Sequence, residues 1–318
     1  MFLSFCFLLF GSQTLHAQTP TQVIVAGADF SLPSTYVRVS TWDISSGTLT
    51  TFDSIPGSIA KHVFIWGNDA YVCTDSILLK YDLTTLQRVA EVKILGIQRI
   101  AVYLDKVIVT KGLGIEQSSS YLEVRYDANL GLTFTVPGVT DDCRGIVVVG
   151  DTAYIANPGL FVRLRGDMAV LDLPNQTLKR IASLDTMGRQ IQDMYAVGNK
   201  IYSVNIQKYN NPTVGYISEY DIATMAFFHN RIPFPMSISA GIYNDLLYAQ
   251  FGNYIGTWDI NLRAFDDQTL VGGIFDALTI DSVNGVLYAS QTDRVTQGKI
   301  YKYDMAAGVA LPWPGSAA

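Results

Sequence analysis

The chain has 318 residues, of which 49% are hydrophobic and only 16% are charged, and its formal net charge is −6. This length and composition suffice for one domain with a large buried core. An acidic chain without clustered Lys and Arg argues against a phosphate-backbone partner, so no nucleic acid is expected.

The N-terminus carries an apolar run over residues 2–10, followed by small and polar residues and then Leu15-His16-Ala17. This order is typical of a secretory signal, so residues 1–17 are predicted to be a signal peptide that is removed after Ala17. The run is too short for a membrane span, and none is expected. The alternative is a buried N-terminal strand. Export to the periplasm, the cell surface or the extracellular space follows from the signal.

Residues 18–318 are predicted to form a single domain, which begins with strands over residues 22–28, 36–43 and 48–52. These are the second, third and fourth strands of a repeat that has no first strand of its own. Propellers commonly take that strand from the other end of the chain. Residues 314–318 match residues 56–60, which precede the first strand of the next repeat. We therefore expect a C-terminal truncation that removes at least ~8 residues.

The next repeat, residues 61–92, shows the pattern most clearly. β-Branched and aromatic residues fill four short runs, and Gly, Asn, Asp, Ser and Thr stand between them. The pattern predicts four strands over residues 61–66, 70–74, 77–83 and 87–92. One such sheet cannot bury both faces alone and needs copies on either side.

The third strand of each repeat ends on an aromatic residue or Leu followed by Asp. Seven such pairs, spaced by ~40–50 residues, predict an all-β, seven-bladed β-propeller of four-stranded antiparallel blades, the first lacking its innermost closing strand. Each Asp can accept a backbone N–H of the following turn, so a structural role is expected for it. A Tyr also recurs on the second strands and predicts packing between blades. The pairs are Trp42-Asp43, Tyr81-Asp82, Tyr126-Asp127, Leu171-Asp172, Tyr220-Asp221, Trp258-Asp259 and Tyr303-Asp304.

These repeats resemble the YncE-like, YVTN-type β-propellers of secreted bacterial proteins, a group with the quinoprotein amine dehydrogenase-like fold. The resemblance covers almost all of residues 18–318 and implies a fold but no reaction. Similar surface propellers of that group capture nutrients such as corrinoids beside outer-membrane transporters. The resemblance therefore makes a transporter one candidate partner, although the lipoprotein Cys that such a role usually brings is absent here.

Motifs for catalysis or metal binding are missing from the sequence. After residue 17 there are two histidines, His62 and His229, on different repeats, and no CxxC, GxGxxG or P-loop motif occurs. Cys73 and Cys143 lie two repeats apart, so we expect free thiols rather than a disulfide. We predict no catalytic residue, no metal and no cofactor.

Strand direction alternates within a blade and sorts the connections onto two faces. The first-to-second and third-to-fourth turns are tight, whereas long second-to-third loops share the other face, where binding residues tend to lie. Arg163, Arg165 and Tyr209 on these loops are candidate ligand-binding residues. An ordinary solvated loop face accounts for them equally well.

A second set of candidates stands where the first strands begin. Lys61, Arg99, Arg144, Asp193 and Asp276 occupy nearly equivalent repeat positions, which predicts charged side chains around the rim of the central channel. Mixed charges there can hold a polar ligand. They can also pair from blade to blade and serve only the fold.

The favoured function is an exported, non-enzymatic binding module for a small molecule, a glycan or a surface protein. One alternative is a metal-assisted hydrolase or lactonase, which needs a carboxylate cluster with a divalent ion. The other is a structural or adhesive cell-surface protein, which an exposed apolar patch would indicate.

Overall fold

The computed structural model describes residues 5–8, 21–29, 36–56, 59–112, 120–139, 142–159, 166–184, 187–188, 190–206, 213–291 and 298–311. These residues form 28 strands, joined by turns and loops. The strands make seven sheets of four, each sheet built from strands that are consecutive in the chain. The predicted fold class, a seven-bladed β-propeller of four-stranded antiparallel blades, is confirmed. In the described ranges the structure contains no helix, and hence none long and apolar enough to cross a membrane.

The blades follow the chain in order, and each of them contains four strands. Blade 1 contains β1 (Phe5–Leu8), β2 (Gln22–Asp29), β3 (Tyr36–Asp43) and β4 (Leu49–Pro56). Blade 2 contains β5 (Ala60–Trp66), β6 (Asp69–Thr74), β7 (Ile77–Asp82) and β8 (Arg88–Lys93). Blade 3 contains β9 (Ile97–Tyr103), β10 (Lys106–Lys111), β11 (Leu122–Tyr126) and β12 (Leu132–Thr135). Blade 4 contains β13 (Ile146–Val149), β14 (Thr152–Asn157), β15 (Asp167–Asp172) and β16 (Thr177–Ser183).

The last three blades repeat the same arrangement. Blade 5 contains β17 (Ile191–Val197), β18 (Lys200–Ile206), β19 (Gly215–Asp221) and β20 (Phe227–Ile232). Blade 6 contains β21 (Met236–Tyr243), β22 (Leu246–Phe251), β23 (Tyr254–Asp259) and β24 (Ala264–Gly272). Blade 7 contains β25 (Ala277–Asp281), β26 (Val286–Gln291), β27 (Lys299–Asp304) and β28 (Val309–Leu311).

The chain divides into two compact units. The first unit, Met1–Lys93 with Ser239–Ala318, holds blades 1, 2 and 7 and most of blade 6. The second unit, Ile94–Ile238, holds blades 3, 4 and 5. The functional site described below lies in the second unit.

The middle strands are apolar on both faces because each face packs against another blade. In β2, Val23 and Val25 pack with Trp42 of their own blade and with Ala277 and Tyr288 of blade 7. The alternate residues of the same strand join a core with blade 2. Residues i and i+2 share one face of a strand, so this double burial explains the near-continuous apolar runs.

The recurring aromatic residues pack between blades, as predicted. In the first unit the rings of Trp42 and Tyr288 meet edge to face, with centroids 5.5 Å apart. In the second unit Tyr154 of blade 4 and Tyr220 of blade 5 lie 5.9 Å apart. Such contacts join neighbouring blades, which are separate sheets.

The predicted turn role of the recurring aspartates is confirmed at six of the seven pairs. Each of these carboxylates accepts backbone N–H groups two or three residues farther along the chain, for example Thr84 N and Thr85 N, both 2.8 Å from Asp82 Oδ1. This Asx geometry starts the turn into the fourth strand. The six are Asp43, Asp82, Asp172, Asp221, Asp259 and Asp304.

Blade 3 departs from this pattern by one residue. Leu130 N donates to Tyr126 O, as Leu86 N donates to Asp82 O in blade 2. Tyr126 therefore occupies the position of the turn aspartate, and Arg125 that of the buried aromatic residue. The side chains follow this shift, because Tyr126 is 48% exposed and Arg125 only 8%.

Blade 1 has three strands within residues 18–318, as the sequence predicts. Its first-strand position is taken by β1, which comes from the region predicted to be a signal peptide. β1 runs antiparallel to β2, with Phe5 opposite Gly27 and Leu8 opposite Ile24. The signal peptide itself stays a prediction.

Cys73 and Cys143 form no disulfide, as expected. Both are completely buried, one in each unit.

Candidate functional site: a polar cluster in blades 3 to 5

Three of the five residues predicted where first strands begin lie together in the second unit. Arg99 belongs to β9, Asp193 belongs to β17, and Arg144 precedes β13 by two residues. We call Arg99, Asp142, Arg144, Gln192 and Asp193 the polar cluster. Blade 3, blade 5 and the segment between blades 3 and 4 contribute its members.

An ion pair joins two blades that are not consecutive. Arg99 Nε lies 3.8 Å from Asp193 Oδ2, and the side chains are 16% and 22% exposed. The Arg99 guanidinium also donates from Nη1 to the carbonyl of Gln98 at 3.0 Å. The pair is therefore partly shielded from water and still accessible from solvent.

Arg144 is held by two side chains that are themselves buried. Its Nη1 donates to Gln192 Oε1 at 2.7 Å, and its Nε lies 3.5 Å from Asp142 Oδ2. Gln192 is fixed in turn, because its amide donates to the carbonyl of Gln190 at 2.9 Å. The Arg144 side chain is 26% exposed, whereas that of Asp142 is 4% exposed. Arg144 is thus a positioned cation with solvent access.

Thr110 of β10 forms hydrogen bonds with the backbone of two residues of the polar cluster. Its side chain is fully buried. Its hydroxyl accepts the Arg99 N–H at 3.0 Å and lies 2.8 Å from the carbonyl oxygen of Arg144. Thr110 therefore ties blade 3 to the segment that carries Arg144.

Two glycines allow the cluster to be this compact. A Cβ on Gly145 would lie 3.0 Å from Asp193 Cα and 3.1 Å from Met194 N, closer than most real Cβ contacts. A Cβ on Gly112 would collide with the carboxylate of Asp142. Any larger residue at either position would move a member of the polar cluster.

The electrostatics of the cluster depend on Asp193. Although 22% of its side chain is exposed, the surrounding protein desolvates the carboxylate and raises its pKa. The Arg99 charge and the N–H of Met194, 2.9 Å from Asp193 Oδ1, oppose that rise without cancelling it. Protonation of Asp193 would leave the two arginines opposed by Asp142 alone.

Two of the other predicted site residues lie in the first unit. Lys61 on β5 and Asp276, just before β25, are half-buried in the first unit. The N–H of Asp276 donates to the carbonyl of Ser290 at 2.8 Å. Arg163, Arg165 and Tyr209 lie outside the described residues, so their role stays a prediction.

A buried charged triad in blade 3 was not anticipated from the sequence. Glu123 lies 2.5 Å from Lys111 Nζ and 2.6 Å from Arg125 Nη2, and all three side chains are 10% exposed or less. Arg125 also donates to the carbonyl of Leu130 at 2.8 Å. The sequence contains one indication of the triad. Three charged residues stand in strands of blade 3, whereas the equivalent strands of the other blades are mostly apolar. With so little exposure the triad fits a structural role better than ligand binding.

A polar network also crosses blade 5. Ser218 Oγ lies 2.7 Å from His229 Nδ1 and 2.5 Å from Asn205 Nδ2, and Asn205 Oδ1 accepts from Ser203. Serine beside histidine can form a nucleophile, but a nucleophile must reach its substrate. Ser218 is 2% exposed in the middle of a sheet, so the network satisfies buried polar groups instead.

The hydrolase alternative needs converging carboxylates that could hold a divalent ion. Among the residues whose placement is described, no group of three or more His, Cys, Asp or Glu side chains is arranged to hold one.

Comparisons with known proteins support the fold alone. No protein-family model and no curated protein matches the chain. The chain is similar to hydrazine synthase of Kuenenia stuttgartiensis, with a TM-score of 0.66 at 10% identity, covering 84% of this chain and 91% of that one. It is also similar to BamB from Moraxella catarrhalis, with a TM-score of 0.57 at 11% identity over 88% of this chain and 81% of that one. The WD40 repeats of RRP9 give a TM-score of 0.62 at 15% identity over 87% and 86%. Such identities show the β-propeller fold and transfer no activity.

Proposed function

We propose that this protein is a non-enzymatic binding module that holds a small polar ligand at the polar cluster. The observation that supports the proposal is the convergence of Arg99 of blade 3, Asp193 of blade 5 and Arg144 of the segment before blade 4, each with part of its side chain open to solvent. Binding sites generally combine a rigid support with a few convergent polar groups, and this cluster has both.

The chemistry of the cluster defines the class of ligand. A guanidinium is a planar donor that pairs best with carboxylate, phosphate or other oxygen acceptors. The Arg144 fork is already oriented by Gln192 and Asp142, so little side-chain freedom is lost when a ligand binds. Asp193 supplies an acceptor beside the arginines. We therefore propose a ligand that presents both acceptor and donor groups, such as an organic acid with hydroxyls or a sugar acid.

The competing interpretation is that the same charges serve only to satisfy one another. A thermal-shift screen of the full chain against sugars, sugar acids, dicarboxylates, corrinoids and divalent ions separates the two. A ligand at 100 times its Kd adds about 2.7 kcal/mol of stability, which is readily detected. We expect a shift with an acceptor-rich organic ligand.

Arg144→Ala is the decisive variant in that screen, and Arg231→Ala is its matched control on the exposed part of β20. We expect Arg144→Ala to abolish the ligand-induced shift and Arg231→Ala to retain it. A full shift in Arg144→Ala, together with a lowered Tm without ligand, would assign the polar cluster to stability and refute the proposed site.

Export is a separate part of the proposal and is supported by the apolar residues 2–10 and by Leu15-His16-Ala17. Cell fractionation of a producing bacterium tests it. Leu9→Arg interrupts the apolar run and should retain the protein in the cytoplasm, whereas Gln13→Arg, outside the run, should not. Equal export of both variants would show that this segment does not direct the protein. Export is compatible with removal of the segment after Ala17 and with its retention.

A further inference from the structure

The first-strand position of blade 1 is filled by a segment that is distant in sequence from its partner strand. β1 pairs residue by residue with β2, so that Cys6 lies opposite Ala26 and Phe7 opposite Val25. Residues 9–21 separate the two strands, whereas the first two strands of blade 2 are joined by the turn at Gly67 and Asn68. The first-strand position of blade 1 is therefore filled by a strand that lies outside residues 22–56, the part of the chain that forms the other three strands.

The edge of β2 that receives β1 is apolar on both faces. Val23 and Val25 are 0% and 2% exposed on one face, and Ile24 and Ala26 are 3% and 0% exposed on the other. Backbone N–H and C=O groups beside such buried residues need partners, and a paired strand supplies them. β1 provides that pairing over Ile24–Gly27.

Neighbouring blades enclose the same position within the first unit. β1 contacts β5 of blade 2 on one side and β25 of blade 7 on the other. Both are first strands of their blades, so β1 has the place that a first strand has elsewhere in this chain. Without a strand there, the backbone N–H and C=O groups on this edge of β2 would lose their hydrogen-bond partners.

We propose that the first-strand edge of blade 1 is a strand-acceptor site and that Phe5–Leu8 is its occupant in the folded full-length protein. Recognition rests on backbone hydrogen bonds and on the apolar composition of the segment, as in strand addition to a sheet edge. On this proposal the segment stays attached to the folded protein instead of being released after Ala17.

Disulfide trapping in the full chain tests the register. Residues directly opposite in an antiparallel pair have Cα atoms roughly 4.5–5.5 Å apart, within the range of a disulfide. Ala26→Cys, with the native Cys6, should therefore form an intramolecular disulfide on mild oxidation, seen by peptide mapping under non-reducing conditions. Val25→Cys is the matched control, because consecutive residues point to opposite faces and Cys6 should not reach it.

Three results would overturn the proposal. They are the absence of a Cys6 cross-link in Ala26→Cys, a cross-link that joins two chains, and an intact mass showing that the purified protein begins at Gln18. The second would assign the site to another copy of the chain, and the third would show that the segment is removed.

A stability comparison covers the case in which the cysteine variant fails to fold. Phe7→Asp places a charge opposite the buried Val25 and should lower the Tm by several degrees. Phe2→Asp introduces the same charge before β1 begins and should leave the Tm unchanged. An equal Tm for Phe7→Asp and the unaltered protein would contradict occupation of the site by this segment.

Discussion

Arg99 Nε and Asp193 Oδ2 lie 3.8 Å apart, although their strands belong to blades 3 and 5. The segment before blade 4 reaches the same place, because a Cβ on Gly145 would lie 3.0 Å from Asp193 Cα. Blades 3 and 5 and this segment thus converge, and the proposed binding function and the first two predictions below depend on that convergence.

Asp193 should make the stability of the protein depend on pH. Its pKa is raised by burial above the ordinary value of 3.8, so its favourable contribution is complete below that value and is lost as the pH rises through the raised pKa. We expect the free energy of unfolding to fall more steeply in the unaltered protein than in Asp193→Asn as the pH rises above 3.8 and through the raised pKa. Urea unfolding at several pH values measures this, and parallel curves would contradict it.

Gly145 should be required for the contact between blades 4 and 5. Gly145→Ala forces the backbone at Asp193 and Met194 to move, and overpacking of this kind costs about 1–3 kcal/mol. Gly272→Ala is the control, because a Cβ there meets nothing within 4 Å. Chemical denaturation should show a lower free energy of unfolding for Gly145→Ala and almost no change for Gly272→Ala. Equal stability of the two would mean that the backbones are not closely packed.

The hydroxyl of Tyr81 should stabilise the contact between blades 1 and 2. It donates to Asp53 Oδ2 at 2.6 Å, and Arg88 Nη2 donates to the same oxygen at 2.6 Å. Tyr81→Phe removes a hydrogen bond to a charged group, so we expect a loss of about 1.5–3 kcal/mol in the free energy of unfolding.

Tyr126→Phe is the matched control for Tyr81, because this tyrosine of blade 3 is 48% exposed. The Tyr126→Phe substitution should change the free energy of unfolding by no more than about 0.5 kcal/mol. Similar losses in both variants would argue against a specific role for the contact between Tyr81 and Asp53.

The turn aspartate of blade 1, Asp43, should titrate below its ordinary range. The Ser45 hydroxyl, followed by the Ser46 N–H, lowers the pKa of Asp43 to about 2. Its contribution to stability is present above the ordinary value of 3.8 and is lost as the pH falls through about 2. NMR titration should show this pKa and its rise in Ser45→Ala, with no change in the distant Ser76→Ala. An ordinary pKa for Asp43 would refute the turn geometry.

The repeat could be read from the sequence because its signals are local. An aspartate that accepts N–H groups two or three residues farther on needs only its own turn, so Asp43 and Asp82 were predictable. The one-residue shift in blade 3 could not be predicted, since the sequence Tyr126-Asp127 has the same pattern as the other aromatic-Asp pairs. Blade 3 differs from the other blades in a set of ion pairs centred on Glu123, and these ion pairs form only in the folded protein.

The candidate site was predictable to a similar extent. Equivalent repeat positions identified Arg99, Arg144 and Asp193, because a repeated blade places equivalent residues in equivalent surroundings. The sequence did not identify Asp142 and Gln192 as the partners of Arg144, since these contacts depend on how separate segments of the chain approach one another. The pairing of Phe5–Leu8 with β2 is likewise a tertiary contact that no local pattern encodes.

Hydrogen–deuterium exchange in the presence of the ligand that gives the largest thermal shift tests the central claim most directly. Exchange reports local opening, which a bound ligand suppresses where it makes contact. The proposed function predicts slower exchange at the start of β9, in residues 142–147 and at the start of β17, with unchanged exchange in the fourth strands β8 and β16. Protection confined to segments outside blades 3 to 5, or spread evenly over all blades, would contradict a ligand site at the polar cluster.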